Sequence, residues 1–192
     1  TVVVGFAPGG SNDIAARIIA PYLGELLGTS VVVENKTGAA GMISGAYVVK
    51  SAPDGHTLLL SSLSPIIVSP QTKIKPPFNT PTDLIAINMV GLSPQAIAVN
   101  NSLPNVKTLS DLFELSKTRQ ITLSSSGTGS LSHLTIEMLT TASKGKLVHV
   151  PYKGGGPAVT DTIAGHVDGG GRGVQRRVAV TGVAVVAGWA SA

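Results

Sequence analysis

Twice in this chain of 192 residues, a short run of β-branched residues breaks into a glycine-rich loop that opens a helix. The first unit runs from Val2 to Phe6, through Ala7-Pro8-Gly9-Gly10, into a helix whose apolar positions are Ile14, Ile18, Tyr22 and Leu26. The second runs from Ile121-Thr122-Leu123, through Ser124 to Ser130, into a helix carrying Leu131, Leu134, Met138 and Leu139. A consecutive apolar run suits a strand covered on both faces, and spacing by three or four suits a helix with one buried face. Both can be buried together only when helices layer onto a sheet. The alternation predicts an α/β fold with mainly parallel sheets.

The rest of the chain repeats this alternation. Ser11 or Asn12 is placed to cap the first helix. Pro21 should kink or split it, since a proline inside a helix costs about 3 kcal/mol, and Gly28 should end it. A strand is expected at Val31-Val32-Val33, a helix over about 40–50, a turn at Pro53-Asp54-Gly55 and a strand from Thr57 to Ser61. The Pro-rich stretch 64–82 reads as a surface excursion. Strands follow at Ala86 to Val90 and Gln95 to Val99. A capping box at Thr108-Leu109-Ser110-Asp111 opens a helix to about Lys117, and Leu147 to Pro151 is a further strand. Pro157 sits in the first turn of a helix ending near Ala164. With Gln95 to Val99 as the crossing, the expected division is a first lobe over 1–94, a second over 95–168 and a tail over 169–192. The hinge then lies near residues 93–100.

Composition removes several functions. Cys is 0, which excludes disulfides, thiolate catalysis and Cys-ligated zinc. The formal charge of +4 rests on Arg172, Arg176 and Arg177, without which 11 basic residues face 10 acidic ones. With aromatics at 4% and no basic cluster interleaved with them, no nucleic-acid surface is expected. The longest apolar stretch, Val178 to Ala190, is too short and glycine-broken to cross a bilayer, which takes about 20 residues. Thr1-Val2-Val3-Val4 opens in an apolar run that reads as a strand already under way, so no signal peptide is expected within these residues.

A glycine-rich turn at a helix N-terminus presents backbone N–H groups backed by the helix dipole, an anion site that needs no basic side chain. Two such loops across a cleft would hold a molecule with two acidic ends. In the second, the hydroxyls of Ser125, Ser126, Thr128 and Ser130 add donors. The alternative is a pair of tight turns in which the glycines only supply positive φ. Gly127-Thr128-Gly129 is followed by Ser132 where a dinucleotide fingerprint needs glycine, and no Gly-Lys-Ser/Thr triplet occurs, so nucleotide binding is not expected. Among His56, His133, His149 and His166 no two lie three to five residues apart, so no helical metal pair exists and no metal or other cofactor is expected. His133 either packs against the second loop or touches a ligand there. A hydrolase or transferase would use Ser126 or Ser130 with His133 and Asp161 or Asp168, but no Gly-x-Ser-x-Gly elbow is present. Asp13 either caps the first helix or receives a ligand amine or a bridging water. Gly154-Gly155-Gly156 is a further loop beside the cleft, with Lys153 in solvent.

Gly5-Phe6-Ala7-Pro8-Gly9-Gly10-Ser11-Asn12-Asp13 followed by Ala16-Arg17 resembles the opening loop of the Bug-type solute receptors of tripartite tricarboxylate transporters. The likeness continues through Val33 to Gly41, Pro53 to Leu59, Ser125 to Leu134 and His149 to Ala158, covering residues 1 to about 168. It implies a two-lobed, type II Venus-flytrap receptor of the periplasm that binds a small carboxylate without chemistry. That ligand is a dicarboxylate, a tricarboxylate or an acidic amino acid, passed to the membrane components of the transporter. Carried over residue by residue, the ligand-binding set is Phe6, Ala7, Pro8, Gly9, Gly10 and Asp13, then Ser61, Ser62 and Ser64, then Ser126, Gly127, Thr128, Gly129, Ser130 and His133. After Asp168 the sequence leaves the family pattern with Gly169-Gly170-Gly171-Arg172-Gly173, and Val178 to Gly182 faintly resembles a return strand. So short a tail is expected to leave apolar surface of the first lobe uncovered, giving a weakened receptor that associates, unless the tail is incompletely or wrongly assigned.

Overall fold

Val2, Val3 and Val4 form an interior strand, β1 (Val2–Val4), and all three are buried because both faces of the sheet are covered. The computed structural model describes residues 1–68, 75, 77–92, 95–173 and 182–188. β1 pairs in parallel with β2 (Val33–Asn35) and β3 (Leu58–Ser62). The sheet continues through β9 (Gly182–Gly188), antiparallel to β3, and β4 (Leu84–Leu92), giving the order β2-β1-β3-β9-β4. Successive strand residues face opposite ways. Val3 and Leu59 therefore pack with Val48, Phe78 and Leu84 on one side, and Val2, Val4 and Leu60 with Ala16 on the other.

The second sheet has the order β5-β8-β6-β7, made of β5 (Gln95–Val99), β8 (Gly169–Gly173), β6 (Ile121–Ser125) and β7 (Leu147–Pro151). β6 is parallel to β7 and β8, and β5 is antiparallel to β8. Ile121, Leu123 and Leu147 pack with Leu112 of α3 (Leu109–Thr118) and Ile136 of α4 (Leu131–Ser143). α5 (Gly155–Ala164) follows β7. The Thr108–Asp111 capping box forms as expected, with each side chain accepting from the other residue's N–H.

Four local expectations are corrected. The helix α1 (Ser11–Leu27) turns Ile14, Ile18, Tyr22 and Leu26 outward, Leu26 being 83% exposed. It buries Asn12, Asp13, Ala16 and Ala20 instead. The two alanines, one turn apart, let the helix backbone approach the sheet more closely than the larger stripe allows. Pro21 does not split α1, which runs unbroken to the left-handed Gly28. The N-cap is Gly10, and neither Ser11 nor Asn12 caps the helix. Finally, 64–82 is not wholly a surface excursion. Ser64 and Pro65 are buried in a π-helical turn (Ser64–Val68), and the Phe78 ring fills the space a Cβ on Gly45 of α2 (Met42–Val49) would occupy.

The glycine-rich segment after Asp168 is a strand held too closely for side chains at its first two positions. A Cβ on Gly169 would lie 2.6 Å from the carbonyl oxygen of Ala98, and one on Gly170 would overlap the Ser124 hydroxyl. The chain crosses to the second sheet between β4 and β5, and returns to the first between β8 and β9, where β9 takes an interior position. The expected strand at Val178 to Val180 lies outside the described residues.

Candidate functional site

The loops that carry the predicted residues all leave carboxyl ends of parallel strands, the edge at which open α/β sheets form ligand sites. Residues 7–10 follow β1 and Ser64 follows β3, while 126–130 follow β6 and 152–156 follow β7. Two hydrogen bonds draw these loops together across the two sheets. The Ala7 N–H donates to the Lys153 carbonyl at 3.1 Å, and the Leu131 N–H donates to the Ser64 hydroxyl at 3.1 Å. Glycines permit the approach. A Cβ on Gly154 would lie 2.7 Å from the Ala7 nitrogen, and one on Gly156 would lie 2.5 Å from the Pro8 carbonyl oxygen. Pro8, Gly9, Tyr152, Gly156 and Asp161 line an open groove of about 620 Å³ along this seam. Lys153 is exposed, as expected.

Asp13 is 2% exposed, and its carboxylate is occupied within the chain. It accepts from the Gly9 N–H at 2.9 Å, from Asn35 Nδ2 at 2.9 Å and from Arg17 Nε at 3.0 Å. Burial pushes the Asp13 pKa up, but hydrogen bonds from Arg17, Gly9 and Asn35, with the Arg17 charge, outweigh it and hold the group below the usual carboxylate value. Asn35 Nδ2 also donates to the Phe6 carbonyl at 2.9 Å, so β2 ties down both ends of the first loop. Asn35 was not singled out in the sequence, although it lies inside the stretch Val33 to Gly41 that carries the family resemblance.

The second loop is closed mainly by its own hydroxyls. Ser126 and Ser130 each share a 3.0 Å hydrogen bond with the Ser132 hydroxyl, and Ser130 caps α4 by accepting from the His133 N–H. The Gly127 N–H donates to the Ser125 hydroxyl, and the Gly129 N–H donates to His133 Nδ1 at 3.1 Å. Thr128 is the exposed residue at the tip. Gly127 and Gly129 both take positive φ, as a turn this tight requires. In the first-lobe loop, Ser61 and Ser64 are buried and Ser62 is half-buried.

Tertiary structure also joins histidines that spacing kept apart. The rings of His133 on α4 and His149 on β7 stack with centroids 4.0 Å apart. His149 Nε2 meets the Ser125 hydroxyl at 2.6 Å. Burial, then the neighbouring His133, lower the His149 pKa despite an opposing effect of Glu137. His133, Glu137 and His149 place one ligand atom each within 4.8 Å of one another. Their hydrogen bonds follow a different logic from metal binding. The Gly129 N–H takes the lone pair of His133 Nδ1, so the ring proton sits on Nε2, facing Glu137 Oε1 at 3.3 Å. Sequence spacing gave no signal for His149, because its partner is brought by the sheet.

These contacts leave two helix ends uncapped at one place. α1 has Gly10 as N-cap and α5 has Gly154, and no side chain caps either end. A Cβ on Gly10 would lie 3.8 and 3.9 Å from the Gly155 and Gly156 nitrogens, so the two N-termini abut. Each carries about half a positive charge, and an anion between them relieves their repulsion.

The sequence profile of the family described as tripartite tricarboxylate transporter family receptor matches residues 15–177. The chain belongs to this family. It is 38% identical over 169 residues to protein BugT of Bordetella pertussis, covering 86% of this chain and 52% of BugT. The chain spans about half the length of the curated relatives it matches. Among solved structures it is similar to the periplasmic binding protein BugD, with 34% identity and a TM-score of 0.83 over 90% of this chain and 57% of that one. It is similar also to R. palustris Rpa4515 with adipate, with 29% identity and a TM-score of 0.82 over 95% of this chain and 58% of that one. The α/β architecture is thus that of periplasmic solute-binding receptors, which are not enzymes. Among the described residues, no helix is long and apolar enough to cross a membrane.

Proposed function

We propose that this chain carries the solute-recognition site of a receptor for a small dicarboxylate. Its two lobes, 1–94 completed by β9 and 95–168 completed by β8, close about the ligand with a hinge near residues 93–100, and the loaded receptor presents it to the membrane components of a tripartite tricarboxylate transporter. The observation that carries this reading is the meeting of two uncapped helix N-termini at Gly10 and Gly155. An anionic oxygen is the partner such a pair favours. The ligand-lining set is Phe6 to Gly10 with Ser61, Ser62 and Ser64 from one lobe, and Ser126 to Ser130 with His133 from the other. Asp13 belongs behind this surface, as the residue that positions the first loop. Its lone pairs are taken by Gly9, Arg17 and Asn35, so it has none to offer a ligand ammonium. A plain dicarboxylate is therefore favoured over an acidic amino acid, a reading supported by the relative solved with adipate.

Titration calorimetry against C3–C6 mono-, di- and tricarboxylates, with aspartate and glutamate alongside, tests the proposal. Saturable heat is expected with a dicarboxylate and a weaker response with its α-amino counterpart. No heat from folded protein with any of them would sink the reading.

A further inference from the structure

Among the described residues, the side-chain nitrogen of the buried Asn12 has no hydrogen-bond partner. Asn12 is 4% exposed, and its Nδ2 is enclosed. Leaving such a donor unpaired is destabilising, and an apolar side chain there would remove the penalty, so its presence calls for a use. Its place suggests one. Asn12 is the second residue of α1, and helical side chains lean toward the N-terminus, which directs its amide toward the uncapped end of the helix. The adjacent carboxylate of Asp13 is turned to Arg17, Asn35 and Gly9 and gives Asn12 no acceptor. The start of α5 abuts the same end through Gly155 and Gly156.

We propose that Asn12 is a ligand-binding, specificity-determining residue, whose Nδ2 donates to a ligand oxygen held at the N-terminus of α1. This rests on the carboxylate-receptor reading and deepens it. Backbone N–H groups at a helix end attract any anion, whereas a side-chain amide fixed in a buried position selects for an acceptor atom at one place. The receptor therefore distinguishes carboxylates that put an oxygen at that position from monocarboxylates and halides that do not.

The test compares wild type, Asn12→Leu and Asn12→Asp by calorimetry with adipate, malate and citrate at pH 7.5, with thermal melts of the ligand-free proteins. Leu removes the donor while keeping the number of side-chain heavy atoms, and Asp replaces it with a repelling charge of the same shape. We expect at least tenfold weaker binding for Asn12→Leu and at least 100-fold for Asn12→Asp, with the ligand-free melting temperature of Asn12→Leu unchanged or raised. A role in packing alone would move the melting temperature and leave affinity untouched, which would overturn the proposal. Should Asn12→Leu fail to fold, the side-chain amide resonance of Asn12 in wild type decides, since no shift at saturating ligand also overturns it. Wild type that binds none of the three acids would instead bring down the carboxylate reading itself, and this inference with it.

Discussion

At the scale of single residues, most of the buried polar side chains near the site hold loops in place. Asp13 is the central one, because its carboxylate collects donors from the loop, from its own helix and from β2. Hydrogen bonds to a charged group contribute about 1.5–3 kcal/mol. Asp13→Ala should therefore lower unfolding free energy by about 2 kcal/mol in urea titrations and weaken ligand binding through a loosened Gly9. Its pH signature follows from the lowered pKa. The folded state favours the ionised form, so the stabilisation is present above the ordinary aspartate value and is lost as pH falls through the lowered one. Acid melts of Asp13→Asn should be flatter than those of wild type in that range, and identical curves would remove Asp13 from this role.

Between elements, the closest contacts are made where glycine replaces a side chain. Gly156 lies at the start of α5 against the first loop, and an added Cβ would sit 2.5 Å from the Pro8 carbonyl oxygen. Gly156→Ala should leave each lobe folded and hold the two apart, reducing ligand affinity by tenfold or more. Small-angle scattering would then show a larger radius of gyration at saturating ligand than in wild type. A second joint is the stacked pair of His133 and His149 between α4 and β7. The His149 pKa is lowered, so folding favours its neutral form. Its stabilisation is complete above the ordinary histidine value near 6.5 and declines as pH falls from there toward the lowered value. Thermal melts between pH 7.5 and 5 should show this decline in wild type. His149→Gln, which keeps a polar group toward Ser125 but does not titrate, should show less of it.

Across the whole molecule, exposed apolar side chains gather on two elements. Ile85, Ile87 and Met89 are exposed on β4, the edge strand of the first sheet, and Ile18, Tyr22 and Leu26 are exposed on α1. An exposed apolar edge strand is a template for pairing with another chain. Sedimentation velocity should find the 192 residues associating at micromolar concentration. Ile87→Lys should shift them toward monomer, since a charge on an edge opposes pairing. A sharp monomer peak for wild type would refute this.

Much of the fold class and part of the site were legible in the residues alone. Runs such as Val2-Val3-Val4, glycine loops before helices and the Thr108–Asp111 box are local features whose physics acts within a few residues. The family resemblance rested on the same local strings. What needed tertiary structure was every choice between two surfaces or two distant partners. The strongest apolar stripe of α1 points to solvent because two alanines pack closer to the sheet. The segment Gly169–Gly173 reads as a broken pattern in sequence, yet it is a strand in which Gly169 and Gly170 meet neighbours too close for a Cβ. His149 reaches His133, Asn35 reaches Asp13, and the ends of α1 and α5 meet only because parallel strands deliver their loops to one edge. Burial and hydrogen-bond partnership are properties of that assembled edge, and no spacing along the chain encodes them.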